Sequence, residues 1–148
     1  MDVKAKVNDA LAVLEGLPLW SIGRAGSLEW FAFGAKKNAI TIHNKQKVVG
    51  EFALHLDCPW KLLGVDGSLL ADDQSDLNLL AALAEPALLC GRREAGEMGD
   101  FRLDFFGGVS LMVHASDQQG DGEYWRLFQP YSGLPHFVVG SNGVENEG

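Results

Sequence analysis

An α+β fold, with a curved and mainly antiparallel sheet of about six to eight strands and two main helices packed on it, is what this sequence predicts. Three observations lead there. The first residues carry apolar side chains at helical spacing, and a second such pattern lies in the middle of the chain. Between and after them run short stretches rich in aromatic and β-branched residues, the types that fit a pleated, half-buried surface. Gly, Asn, Asp and Pro separate those stretches, as turn residues do.

In order, Val3, Val7, Ala10, Leu11 and Leu14 share one helical face. Asp2 can cap that helix, and Gly16 with Pro18 can stop it. From Leu19 the segments LWSIG, SLEWFAFG, AITIH, VVGEFALHLD and WKLLGVDGSLL read as strands joined by tight turns. DDQSDLNLLAALAEP reads as the second helix, with Leu77, Leu80, Ala81 and Ala84 on one face and Pro86 ending it. ALLCGRREA fits either state. FRLDFFGGVSLMVH, EYWRLFQ and HFVVG are strands again, and the tail from 141 to 148 is expected to fray.

The turn at Gly107 and Gly108 can be specified further. A two-residue loop would put the apolar sets Phe101, Leu103, Phe105 and Val109, Leu111, Val113 on different faces. A three-residue loop, Phe106-Gly107-Gly108 with Gly108 left-handed, pairs Phe105 with Val109, Leu103 with Leu111 and Phe101 with Val113 on one face. Alternation therefore predicts a bulged hairpin.

Composition sets the outer bounds. The 148 residues are 47% hydrophobic and include four tryptophans and eight phenylalanines, enough for one core and too few residues for two ordinary domains. The expected organisation is one domain over residues 1–148. The longest apolar run, LLAALAEPALLC, is broken by Glu85 and Pro86, so no membrane span is expected. The first sixteen residues mix charges with spaced apolar side chains, unlike a secretory signal, and the expected compartment is the cytoplasm. Cys58 and Cys90 are too few for a disulfide framework and are expected to be free thiols.

Charge is uneven. Residues 1–50 carry seven Lys or Arg against four acids, and residues 51–148 carry five against sixteen, within a net charge of −8. A surface of that sign repels phosphate backbones, so nucleic acid is not an expected partner. The basic exception is AKKNAITIHNKQK, where Lys36, Lys37, Lys45 and Lys47 bracket a strand. Lysines protect edge strands from pairing, and they also offer a docking patch to an acidic partner, including the acidic part of a second copy in a homodimer.

The stretch EFALHLDCPW brings His55, Asp57, Cys58 and Trp60 together in sequence. Strand alternation separates them again: Phe52, Leu54 and Leu56 point one way, and Glu51, Ala53, His55 and Asp57 the other. Cys58 falls on the apolar side, away from His55. An acid/base pair of His55 with Glu51 or Asp57 remains open, since a carboxylate orients an imidazole and raises its pKa. The four histidines show no helical metal-binding pair, and no phosphate-binding glycine loop or nucleophile elbow occurs. No metal, cofactor or catalytic residue is assigned.

In GEYWRLFQP, Glu123, Trp125 and Leu127 share one face and Tyr124, Arg126 and Phe128 the other. Tyr, Trp and Arg are the side chains most enriched where binding energy concentrates. Tyr124, Arg126, Phe128 and nearby Tyr131 are therefore the first candidate recognition surface, joined by His55, Trp60 and Trp125. Trp60, following Pro59, also suits a core position at a sheet corner.

The segments GEFALHLDCPWKL, GDFRLDFFGG, GEYWRLFQP and PHFVVGSNGVE resemble segments shared by a family of small uncharacterised bacterial proteins. The resemblance runs from about Ile22 to Glu145 and implies one intact domain. It marks Cys58, Pro59, Trp60, Trp125 and Arg126 as motif residues and brings no activity or cofactor with them. Three functions follow from the sequence. The leading one is a non-enzymatic cytoplasmic protein-binding domain of the immunity or antitoxin sort. The second is a small-ligand binder with an aromatic pocket of Trp30, Phe52, Trp60 and Trp125. The third is a hydrolase-type enzyme using His55 with a carboxylate.

Overall fold

The computed structural model of this chain describes residues 2–118 and 120–147. In chain order its elements are α1 (Val3–Leu11), β1 (Pro18–Ala25), β2 (Leu28–Ile40), β3 (Gln46–Leu56), β4 (Trp60–Leu63), β5 (Leu69–Asp72), α2 (Leu77–Leu83), β6 (Leu88–Ala95), β7 (Phe101–Phe105), β8 (Ser110–Val113), β9 (Glu123–Phe128), β10 (His136–Gly140) and β11 (Gly143–Glu147). Among the described residues eleven strands form one antiparallel sheet, with 50% strand and 17% helix. This corrects the expected α+β fold of six to eight strands: the molecule is mostly sheet, with two short helices.

The excess has local causes. WKLLGVDGSLL is two strands rather than one, because Gly67 at φ +81° reverses the chain between β4 and β5. The ambiguous ALLCGRREA is β6, pairing with β7. The tail expected to fray contributes β11, which pairs with β10 from Gly143 opposite Gly140 to Glu147 opposite His136. SLEWFAFG and the start of AITIH run on as one strand, β2, with a bulge after Phe33.

Other expectations meet the structure directly. Asp2 caps α1 by accepting from the Lys4 N–H at 3.0 Å, and Val7, Leu11 and Leu14 are buried. Asp76 caps α2 in the same way through the Asn78 N–H. The buried residue of α2 is Leu80, joined by Ala84 just past its end, with Leu77 and Leu79 left 47% and 43% exposed and Ala81 exposed as well, so the expected membership of Leu77 and Ala81 in that face is corrected. In the β7–β8 hairpin Phe101 pairs with Val113 and Leu103 with Leu111. The Phe105 N–H donates to the Val109 carbonyl, and Gly108 has φ +93°. That is the bulged register required by alternation.

The sheet order is β11-β10-β9-β3-β2-β1-β6-β7-β8-β4-β5. Its weakest join is β1 to β6, where only Pro18–Leu89 and Leu19–Leu88 pair. There the sheet turns over on itself. The first half, β11 to β1, faces the second, β6 to β5, and aromatic pairs close the gap between them. Phe31 of β2 meets Trp60 of β4 edge-on at 5.3 Å, Phe33 stacks with Phe105 of β7 at 6.5 Å, and Trp125 of β9 meets Phe101 at 4.8 Å. Burying each such ring contributes about 1.5–3 kcal/mol. One hydrophobic cluster spans both halves and takes in Val7 and Leu11 of α1 and Leu80 of α2. Both helices thus serve the inner side. No helix among the described residues is long and apolar enough to cross a membrane.

Trp125 anchors the centre. It is fully buried, and its indole N–H donates to the Gly99 carbonyl at 2.9 Å. Trp125→Phe keeps most of the apolar area but leaves that buried carbonyl without its donor. The expected loss in urea denaturation is about 1–3 kcal/mol with an unchanged m-value. A loss below about 0.5 kcal/mol would show that the hydrogen bond does not matter to the core.

Candidate functional site

The alternation that fills the core also builds the opposite face of the first half-sheet. Register sets Gly23 beside Trp30, Trp30 beside His55, His55 beside Arg126 and Arg126 beside Val138, one row across five strands. The neighbouring row is Ser21, Ala32, Ala53 and Phe128. Three small side chains in succession make a floor. Around it stand Trp20, Trp30, His55, Phe128, Tyr131 and His136, and the resulting groove encloses about 430 Å³. Trp30 reaches its place by lying over Gly23, where an added Cβ would overlap the indole ring.

The wall from β9 and β10 is held by a polar cluster. The Arg126 Nε donates to Glu123 Oε2 at 2.8 Å, and a second guanidinium nitrogen donates to Glu123 Oε1. A third contact, from Arg126 Nη1 to His136 Nδ1 at 2.6 Å, fixes the imidazole: a guanidinium has no lone pair to offer, so Nδ1 is the acceptor and the ring proton is on Nε2. The His136 ring stacks on Phe128 at 4.3 Å, and His55 meets Phe128 edge-on at 4.7 Å. Phe128 therefore contacts both imidazoles.

This setting decides protonation states. The hydrogen bond from Arg126 holds the Glu123 carboxyl below its usual range. Burial, followed by the positive charge of Arg126, pushes His55 down from 6.5 to about 4, so His55 is neutral at physiological pH. Its sequence neighbours are engaged elsewhere: Glu51 accepts from the Ala35 N–H and Asp57 from the Ser27 hydroxyl, both at 3.2 Å. The pairing of His55 with Glu51 or Asp57 that acid/base chemistry would use does not form. Cys58 belongs to the core cluster on the other side of β3. Burial and then the charge of Asp100 push its thiol up to about 12, and burial raises Cys90 to about 11.

The candidate residues from the sequence divide between two places. His55, Phe128 and Tyr131 line the groove, and Arg126 braces its wall. Tyr124 lies apart, partly buried against the core, its hydroxyl donating to the Gly120 carbonyl. Trp60 and Trp125 are 1% and 0% exposed and are removed from the set that a surface partner can touch. The aromatic pocket expected from Trp30, Phe52, Trp60 and Trp125 is likewise corrected. Phe52 packs on the core and only Trp30 faces the groove. Trp20 and His136 were missed, and so was Ala32, although the alternation of SLEWFAFG already sets Trp30 and Ala32 opposite Phe31 and Phe33.

A second cavity, of about 350 Å³, lies beside Arg24, Glu29 and Asp57. Arg24 is fully employed there, donating to the buried Glu29 carboxylate at 2.7 Å and to the Ser75 and Asp73 carbonyls. It ties the β1–β2 hairpin to the loop before α2. Among the described residues no group of three or more His, Cys, Asp or Glu is placed to hold a metal ion. No protein-family model, curated protein or solved structure matches this chain.

The depressed His55 yields a pH prediction. The unfolded chain binds that proton near 6.5 and the folded chain near 4, so stability is fully present above the unfolded value and falls as pH drops toward the folded one. Wild type should lose more stability than His55→Gln between pH 6.5 and 4.5, measured by urea denaturation, and the His55 ring should titrate near 4 by NMR. Equal losses in the two proteins would remove the burial argument.

Proposed function

We propose that this chain is a non-enzymatic protein-binding domain that receives an apolar side chain of its partner in the groove of the first half-sheet. The observation that carries the reading is the convergence of Trp20, Trp30, Phe128, Tyr131 and two imidazoles around a floor of Ser21, Ala32 and Ala53, on a sheet face that neither helix covers. Rigid aromatic walls around a small-residue floor are the usual form of an anchor pocket. The strands hold this one in place before a partner arrives, which lowers the entropy lost on binding.

The groups able to do chemistry support recognition instead. Both thiols are raised far above neutrality and stay protonated, and an imidazole depressed to about 4 is a weak base. An immunity or antitoxin role is the narrower form of the proposal, supported by the acidity of residues 51–148. The volume of the groove favours a second reading, a small apolar ligand, since such sites commonly run from about 300 to 1,000 Å³.

Affinity capture from cell lysate tests the proposal with four baits: wild type, Trp30→Ala, Phe128→Ser, and Lys4→Ala at an exposed position of α1. A protein partner should elute from wild type and Lys4→Ala and be lost from both groove variants. Identical eluates from all four baits would overturn the reading. Tyr131 offers a separate check, because it is 61% exposed and held at φ +58°, a left-handed conformation costing a non-glycine residue about 1–2 kcal/mol. Tyr131→Gly should raise stability by about 1 kcal/mol while weakening capture.

A further inference from the structure

Beyond the groove, β2 and β3 continue as a ribbon that pairs with nothing else. β1 accompanies β2 only as far as Phe33, and β9 accompanies β3 only as far as Ala53, whereas the β2–β3 ladder runs on from Lys36–Gly50 to Ile40–Gln46. A two-stranded ribbon alone is marginal in water, and this one leaves Ile40, Ile42 and Val48 at 66%, 95% and 53% exposure. It carries Lys36, Lys37, Lys45 and Lys47, with no acid between Trp30 and Gly50, in a chain that has twenty acids and a net charge of −8.

Ribbon and groove are one surface. Lys47 and Val48 line the groove, and the Lys36 ammonium lies 4.9 Å from the centre of the Trp20 ring. Among the described residues lining the groove there is no Asp or Glu. The nearby Glu123 is already neutralised by Arg126. The Trp20 indole N–H is buried without an acceptor.

We infer that the groove and the ribbon together receive an acidic polypeptide segment bearing an aromatic residue. The ring enters over Ala32 and Ala53, and carboxylates on either side of it meet Lys36 and Lys47. This deepens the protein-binding reading and rests on it. Charge complementarity selects the occupant: the lysines attract an acidic segment and repel a basic one, while the acidic remainder of the chain repels a long phosphate backbone that would extend beyond the ribbon.

The test is an NMR titration of the full chain, reading the Trp20 and Trp30 indole N–H signals. The probes are acetyl-EEFEE-amide, its alanine analogue acetyl-EEAEE-amide, its basic analogue acetyl-KKFKK-amide, and a ten-residue oligothymidylate. The acidic phenylalanine peptide should saturate both signals and bind at least about tenfold more tightly than either analogue or the oligonucleotide. In the Lys36→Glu/Lys47→Glu variant that preference should disappear while the spectrum of the core stays unchanged. Binding of the basic peptide or the oligonucleotide as tight as that of the acidic one would overturn the inference, as would no binding of the acidic peptide. If capture still depends on Trp30 and Phe128 in that event, the groove reading stands and only the charge inference fails. Peptide binding without groove-dependent capture would show the reverse.

Discussion

The register across β1, β2, β3, β9 and β10 is the constraint on which both the core and the groove depend. Side chains on a strand alternate with a period of two, so a one-residue slip in any of these strands would exchange its two faces. Phe31 and Phe33 lock β2 by meeting Trp60 and Phe105 from the opposing half-sheet. The same setting fixes Trp30 and Ala32 on the other side, over Gly23 and beside Ala53. The side chains that the strands bring to the groove are thus placed by the same register that packs the core behind them. Sites carried on strands keep their geometry better than sites carried on loops.

Much of this was legible from pattern alone where the pattern was local. The bulged β7–β8 hairpin, the Asp2 cap of α1 and the separation of His55 from Cys58 all follow from spacing within a few residues. What was not legible depends on pairing across long sequence distances. Trp125 and Phe128 were assigned to opposite faces of β9, but both faces carry aromatics, and only the placement of β9 beside β3 tells which one is inside. Trp60 and Trp30 have the same composition signal and opposite fates for the same reason. The strand count failed where turns were short or ambiguous: Gly67 folds one expected strand into two, and β6 and β11 gain their identity from neighbours rather than from their own residues. In α2, helical periodicity alone did not exclude Leu77, which lies in the first turn next to the cap and outside the packed face.

The charge asymmetry of the sequence becomes an asymmetry in space. The basic residues of the first third do not spread over the molecule: four of the seven lie on the ribbon that extends β2 and β3 past their neighbours. Acids near the groove are either paired, as Glu123 is with Arg126, or turned to backbone donors, as Glu51 is. A carboxylate held by a bidentate guanidinium exerts little field on its surroundings, since the two charges cancel within a few ångströms. The field at the groove is consequently set by Lys36 and Lys47, against an acidic body.

Protonation pushes in the same direction. A charged His55 would add a cation to the groove wall, but it would do so away from water and beside Arg126, and both oppose it. The neutral ring instead presents its edge to Phe128 and behaves as one more aromatic wall. His136, with Nδ1 taken by Arg126, stacks on Phe128. The two histidines are here used for their ring planes, both packed against Phe128. An arrangement that removes charge from its centre and keeps it at the rim discriminates between partners by the sequence around an apolar anchor, since the anchor itself carries no sign.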